Sequence, residues 1–484
     1  MNLLQNKTKV LFLLSLLFFT FFVWCYSDAV FFWDTVSQAS KRGNYYYQTN
    51  FQNLILDPAL DSGHPPFFNI FIGLSWSVFG RNLAVSHFIM LPFVLGLVFQ
   101  IYRLINNLFP EKNRWLVFLI ALADTTFLAQ TMLISPDIVL CFGFLLCLNA
   151  IFENKNGQLI LGTFFLPFVS IRGILLFAVT GAIFLFWKMI KGQQKGISLG
   201  KNIFKSVQQA IWIFMWAGIL LLIYLVYHYQ VAGWLISSPN PEWIVHKQPN
   251  DAYNIARQIG LIGWRFLDNG RIICSLLLIF FLFKIYQKRL ALPKEGQFLL
   301  LCFGAFFLVF APIFIFFSVA INNRYLLPAF LLLHLLIAYF IINYSFEVKA
   351  KKAWLIAILI ALFSGTFWIY PKHIAQGWDG TLAHLPYYEL RDEMLSFIEE
   401  KDILLADIGT EFPNKGSLDF YDLSNRKKGL ADKDFERNKY IFYATVMNDF
   451  TDEELRALEE DWQVVKVFEQ WPIEVILYRN PDFE

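Results

Sequence analysis

The sequence predicts a polytopic α-helical membrane protein that ends in a small extracytoplasmic α/β domain. Three observations carry that expectation. Of 484 residues, 57% are apolar and only 16% charged, and Phe alone occurs 54 times. A water-soluble chain has no means of hiding that much aromatic surface. Apolar runs of about 20 residues, the length that crosses a bilayer as a helix, recur along most of the chain. The net charge of +2 conceals two differently composed regions: residues 373–484 hold 25 Asp and Glu against 12 Lys and Arg, and the remainder holds 13 against 28. The expected division is a basic transmembrane part, residues 1–372, and an acidic soluble domain, residues 373–484.

Topology follows from the lysines and arginines, which favour cytoplasmic loops. Lys7 and Lys9 flank the start of the first apolar run, near residues 9–26. That run is longer than a signal-peptide core and lacks a small-residue cleavage site, so it reads as a retained first span with a cytoplasmic N-terminus. Residues 28–82 then form the first external loop. Because Arg103, Lys112 and Arg114 must return inside, residues 83–102 supply the crossing. The apolar segment Pro66–Gly80 is left lying in the outer interface, opened by Pro65-Pro66.

Residues 115–134 go out and 138–152 return. Residues 158–190 read as two short helices meeting at an external turn, Arg172-Gly173. Lys188, Lys191, Lys195, Lys201 and Lys205 mark a cytoplasmic loop. A span near 210–230 leads to an external loop at 232–270, and 271–286 returns to Lys284, Lys288 and Arg289. Residues 297–319 go out, 329–346 return to Lys349, Lys351 and Lys352, and 353–370 leave the tail outside. About eleven spans result.

In the tail, Leu385–Glu400 has the pattern of an amphipathic helix. Residues 403–408, 440–446, 464–468 and 473–478 read as strands. Thr451 and Glu454 form a capping box for a helix over 452–462. No nucleotide-binding glycine loop and no internal repeat occurs. The five cysteines fall in or beside apolar runs without a CxxC, which points to packing rather than to disulfides or zinc.

This topology places Asp28, Asp34, Asp57, Asp61, His64, Asp137, Arg172, His246, Lys247 and Arg324 at the outer face. Ionisable groups near membrane depth are costly and are functional candidates by default. Asp34, in Phe-Phe-Trp-Asp-Thr, has an aromatic flank suited to raising the basicity of a carboxylate, as a general base requires. The competing role is an interfacial helix cap. His64, in Asp-Ser-Gly-His-Pro-Pro, sits on a stiff backbone and could meet a phosphate or a sugar; a satisfied interfacial histidine is the alternative. Asp137 follows Ser135-Pro136 at a helix start, where a plain cap competes. Asp124 lies deeper and could face the same cavity. Arg172 and Arg324 interrupt apolar sequence at external turns and carry the guanidinium fork that matches phosphate oxygens. Snorkelling to lipid headgroups is their alternative.

The order of these motifs resembles the GT-C superfamily of membrane glycosyltransferases. The first span is followed by Trp33-Asp34-Thr35. Gly63-His64-Pro65-Pro66 then opens a segment ending at Phe79-Gly80, and Pro136-Asp137 opens a span. The similarity is nearest to the branch with protein O-mannosyltransferases and the lipid A aminoarabinose transferase. It covers roughly residues 1–370 and is strongest over 28–190. The resemblance implies transfer of a sugar, usually with inversion, from a polyprenyl-phosphate carrier to a lipid, glycan or protein acceptor on the extracytoplasmic side; the overall style of the sequence suggests a bacterial plasma membrane. Asp34 and Asp137 match the family's carboxylates, His64–Pro66 its His-Pro-Pro element, and Arg172-Gly173 its basic residue before Gly. One departure stands out: Thr35 follows Asp34 where many relatives have Glu, which weakens any paired carboxylate or metal site. Asp34 and Asp137 are thus the expected catalytic residues. His64, Arg172, Arg324, Lys247 and Asp124 are the expected substrate-binding ones. No cofactor, metal or nucleic acid is called for. The rival is a transporter or flippase for a lipid-linked or anionic substrate, whose ionisable groups would sit nearer the bilayer midplane.

Overall fold

The computed structural model describes residues 7–236, 238–244, 247–344 and 350–483. His246, Lys349 and the last two residues of the expected span 329–346 lie outside the described residues. Among those described, seven helices are long and apolar enough to cross a bilayer: Lys7–Cys25, Leu83–Leu108, Pro136–Glu153, Ile171–Gln194, Leu199–Ala232, Lys294–Phe316 and Asn323–Asn343. Two bent pairs raise the number to nine if each crosses once: Glu111–Leu122 with Thr125–Met132, bent by 63°, and Ala252–Leu267 with Ile272–Gln287, bent by 104°. The two other expected spans are the helices Asn156–Val169 and Lys351–Ser364, of 14 residues each. At 1.5 Å per residue they reach about 21 Å, short of a hydrocarbon core of roughly 30 Å. By length, seven to nine of the described helical segments reach across a full hydrocarbon core.

The local causes are legible residue by residue. The break in the first bent pair falls at Asp124, whose carboxylate accepts the amides of Thr126 and Phe127 at 2.9 and 3.1 Å and so starts the second half. Ser135 caps Pro136–Glu153, with Pro136 in the first turn, and Ser170 caps Ile171–Gln194. At Gly173 a Cβ would lie 2.0 Å from the carbonyl oxygen of Leu166, so only glycine lets the two helices fold back there. The expected interfacial segment is a helix, Phe67–Phe79, following Pro66. Pro136–Glu153 and Asn323–Asn343 are the most enclosed of the long helices and form the centre of the bundle.

The C-terminal part is a six-stranded mixed sheet with helices: β1 Ile408–Thr410, β2 Gly416–Ser417, β3 Gly429–Asp432, β4 Tyr440–Ala444, β5 Gln463–Gln470 and β6 Ile473–Arg479. The order is β2-β3-β1-β4-β6-β5. β1 runs parallel to β3 and β4, and the other pairs are antiparallel. The amphipathic helix is present as Pro386–Glu400, and the Thr451–Glu454 capping box opens Asp452–Glu460. The strand expected over 403–408 starts only at Ile408, because Leu405–Asp407 coils into a 3-10 turn.

This domain is bound to the first loop. Arg81 makes a two-pronged ion pair with Asp419 at 2.8 and 2.9 Å, and the Phe31 amide donates to the Tyr421 carbonyl at 2.9 Å. Phe32 stacks on His384 with centroids 4.7 Å apart, and Trp33 meets Phe412 edge-on. The sheet domain therefore roofs one end of the bundle.

Candidate active site

Under that roof, the short polar pieces that interrupt the apolar sequence converge. The Thr35 hydroxyl accepts the Phe32 amide at 2.9 Å and donates to the Phe32 carbonyl at 2.6 Å, closing a tight turn. Trp33 inside it has φ +57°, an uncommon conformation for a bulky residue and one that structures keep where a side chain must be aimed. The turn directs the Asp34 carboxylate at Arg324, with which it is ion-paired. Asp34 remains 32% exposed.

Asp137 sits in the first turn of Pro136–Glu153 and pairs with Arg172, which sits in the first turn of Ile171–Gln194. The Arg172 guanidinium lies 4.0 Å over the Tyr325 ring, and its Nη2 has no hydrogen-bond partner. Arg324 comes from the 3-10 turn Asn323–Leu326. Its Nε stands 3.2 Å from Asp379 and 3.9 Å from Asp137, and its Nη2 donates to the Tyr325 hydroxyl at 3.2 Å. Asp137, Arg172, Arg324 and Tyr325 line a small cavity whose remaining wall is apolar, including Leu176, Phe310 and Pro328. Two guanidiniums facing a pocket with an apolar wall suit an anionic headgroup on a hydrocarbon tail.

Of the seven residues singled out from the sequence, four meet here: Asp34, Asp137, Arg172 and Arg324. The other three are placed otherwise. His64 Nδ1 accepts the Ile171 amide at 3.2 Å, so it holds the helix start that carries Arg172. Loss of solvent, with Arg42, Arg172 and Lys247 nearby, holds its imidazole well below the ordinary range and therefore neutral. Lys247 stitches two loops together, its Nζ 3.0 Å from the Ser62 carbonyl and 2.9 Å from that of Ile236. Asp124 does not line the cavity. It is wholly buried against Arg271, which grips it at 2.7 and 3.0 Å.

Sequence reasoning missed Tyr325 and Asp379. Tyr325 ends Asn322-Asn323-Arg324-Tyr325, a polar run between two apolar ones, and that run was the available signal. Asp379 lies in Trp378-Asp379-Gly380, beyond the jump in acidity at 373, and was assigned to the soluble domain. Its Trp-Asp pair repeats that of Trp33-Asp34. No group of three or more His, Cys, Asp or Glu suited to a metal ion occurs among the described residues.

The bundle, its first loop and the roofing domain define a polytopic helical membrane protein with a folded C-terminal cap. The structure is similar over 97% of its length, and 97% of theirs, to two crystal structures of ArnT from Cupriavidus metallidurans. One is bound to undecaprenyl phosphate, with TM-score 0.50 and 11% identity. The other is in the apo state, with TM-score 0.50 and 12% identity. The fold is thus ArnT-like. No family model matches the sequence, and no curated protein matches it.

Proposed function

We propose that this chain is a glycosyltransferase that moves a sugar from a polyprenyl-phosphate carrier to a hydroxyl-bearing acceptor on the extracytoplasmic side. The observation that carries the reading is the convergence of Asp137, Arg172 and Arg324 at one cavity, with Asp34 ion-paired to Arg324, in a fold shared with a protein whose structure holds undecaprenyl phosphate. Arg172 and Arg324 take the carrier phosphate. Its arrival displaces Asp34, the most exposed carboxylate of the cluster, from Arg324 and leaves it free to act as the base.

Asp34 then accepts the proton of the acceptor hydroxyl. The acceptor oxygen bonds to the anomeric carbon as the bond from that carbon to the phosphate oxygen breaks. The electron pair leaves with the polyprenyl phosphate, and the two guanidiniums stabilise the charge that develops on it. A single displacement of this kind inverts the anomeric centre. The apolar wall accommodates the start of the lipid tail, and no soluble cofactor enters the scheme.

The test is transfer by the purified protein from a labelled polyprenyl-phosphate sugar. Product should form, and Asp34→Asn should lower turnover by about 10²–10⁴-fold, the usual range for general-base catalysis. Should Asp34→Asn retain activity while Asp137→Asn abolishes it, the two roles exchange. Label that crosses a vesicle membrane without product would establish the transporter instead.

A further inference from the structure

Asp379 follows the last apolar helix, yet it is completely buried. Its Oδ1 accepts from Asn322 Nδ2 at 3.1 Å, and its backbone carbonyl accepts from Gln130 Nε2 at 2.8 Å. The next carbonyl, that of Gly380, accepts the Thr126 hydroxyl at 2.9 Å. The segment is thus clamped by side chains from two other parts of the bundle. Desolvating a carboxylate is expensive unless a cation compensates it, and the free Oδ2 of this one stands 3.2 Å from Arg324 Nε without forming a hydrogen bond.

Arg324 has two differently occupied edges. Its Nε edge faces Asp379 at 3.2 Å and Asp137 at 3.9 Å, both enclosed. Its Nη2 faces the Tyr325 hydroxyl and the partly exposed Asp34. Asp34 is therefore the partner able to give way to a ligand, while the two enclosed carboxylates stay beside the Nε edge as ion-pair partners, without a formed hydrogen bond. We infer that Asp379 is a positioning residue for the transfer reaction, holding the Nε edge of Arg324 so that its outer edge meets the carrier phosphate. This rests on the carrier-phosphate reading of the cluster. It also makes the stretch that leads into the roofing domain part of the active site.

Asp379→Asn is the direct test, because the amide oxygen can keep the Asn322 hydrogen bond while the amide nitrogen sets a donor against the Arg324 Nε–H. Turnover should fall by about 10–100-fold, as misplacement of a group at the reacting centre does. The donor KM should stay level or drop, since one negative charge has left the site. In an Arg324→Gln background the same change should add little, because both act through one guanidinium. Gln130→Ala loosens only the backbone clamp and should show a smaller loss in the same direction; it serves if Asp379→Asn yields no folded protein.

Wild-type turnover in these variants overturns the inference. So do losses that multiply in the double variant, or a rise in KM in step with lost thermal stability, which marks a purely structural carboxylate. Binding of undecaprenyl phosphate to the unmodified protein is measured alongside. If the unmodified protein neither binds it nor transfers, the reading of the whole site falls and this inference with it. If it does both while Asp379→Asn is fully active, only the role of Asp379 falls.

Discussion

Arg271 and Arg324 are both buried arginines that meet aspartates, and their surroundings differ in kind. Arg271 grips Asp124 with two nitrogens, donates to the Thr126 hydroxyl at 2.6 Å, and lies 3.7 Å over the Phe330 ring. Neither side chain of that pair has any exposure. Arg324 is shared among Asp34, Asp137 and Asp379; its Nε makes no well-formed hydrogen bond, and a cavity opens beside it. A closed, saturated pair has nothing to offer a ligand. A cluster with unpaired nitrogens and one partly exposed carboxylate can exchange partners. Both arginines are buried and both meet aspartates, so the distinction lies in hydrogen-bond saturation and access.

The sharpest way to break this contrast is to remove one member of each cluster and measure stability. Asp124→Leu leaves Arg271 buried and uncompensated, which should cost about 3–5 kcal/mol. Thermal unfolding of the purified protein should show a large drop for it and little change for Asp34→Asn. Equal drops would mean that the second cluster is structural too.

Ligand affinity separates the arginines next. Arg172→Gln and Arg324→Gln each remove charged hydrogen bonds worth about 1.5–3 kcal/mol, so affinity for undecaprenyl phosphate should weaken by roughly 10–150-fold. Lys at either position should restore part of it, as a point charge without the fork. Unchanged affinity in both Gln variants would make these arginines lipid anchors. The smallest effect belongs to Lys247→Ala. Its ammonium is bound to two carbonyls away from the cavity, so affinity should stay within the roughly 0.5 kcal/mol typical of substitutions outside a site. A loss as large as that of the arginines would bring Lys247 into the site.

Orientation is tested separately, in a Cys25→Ser background, by labelling intact cells with an impermeant thiol reagent. Lys427→Cys, exposed on the roofing domain, should react, and Lys195→Cys, exposed at a loop between long helices, should not. Gly380, beside Asp379, is too buried to serve as a probe. The reverse labelling pattern would put the candidate site on the cytoplasmic side.

Much of this architecture is written locally. Pro65-Pro66 and Ser135-Pro136 announce helix starts in the sequence, and the Thr451–Glu454 box is a purely local device. Asp34 and Arg324 could be assigned to one face from charge alternation alone. Their pairing across 290 positions is tertiary and left no trace in either neighbourhood. Asp124 shows the limit most clearly: its sequence reveals an acid inside an apolar run, while its partner stands 147 positions away. A composition boundary at 373 separated Asp379 from the site because composition averages over a stretch, and one residue is decided by what clamps it. Strands as short as Gly416–Ser417 and Gly429–Asp432 carry too few residues for an alternation to register. Two of the expected spans are helices of only 14 residues, short for a full crossing.

The central claim is that the unsaturated arginine cluster takes the carrier phosphate and frees Asp34. A structure determined with undecaprenyl phosphate bound tests it most directly. The account predicts the phosphate between Arg172 and Arg324, Arg324 still held by Asp379, and the Asp34 carboxylate turned away from Arg324 toward open space. A phosphate bound elsewhere, or Asp34 still paired with Arg324 in the loaded site, would contradict it.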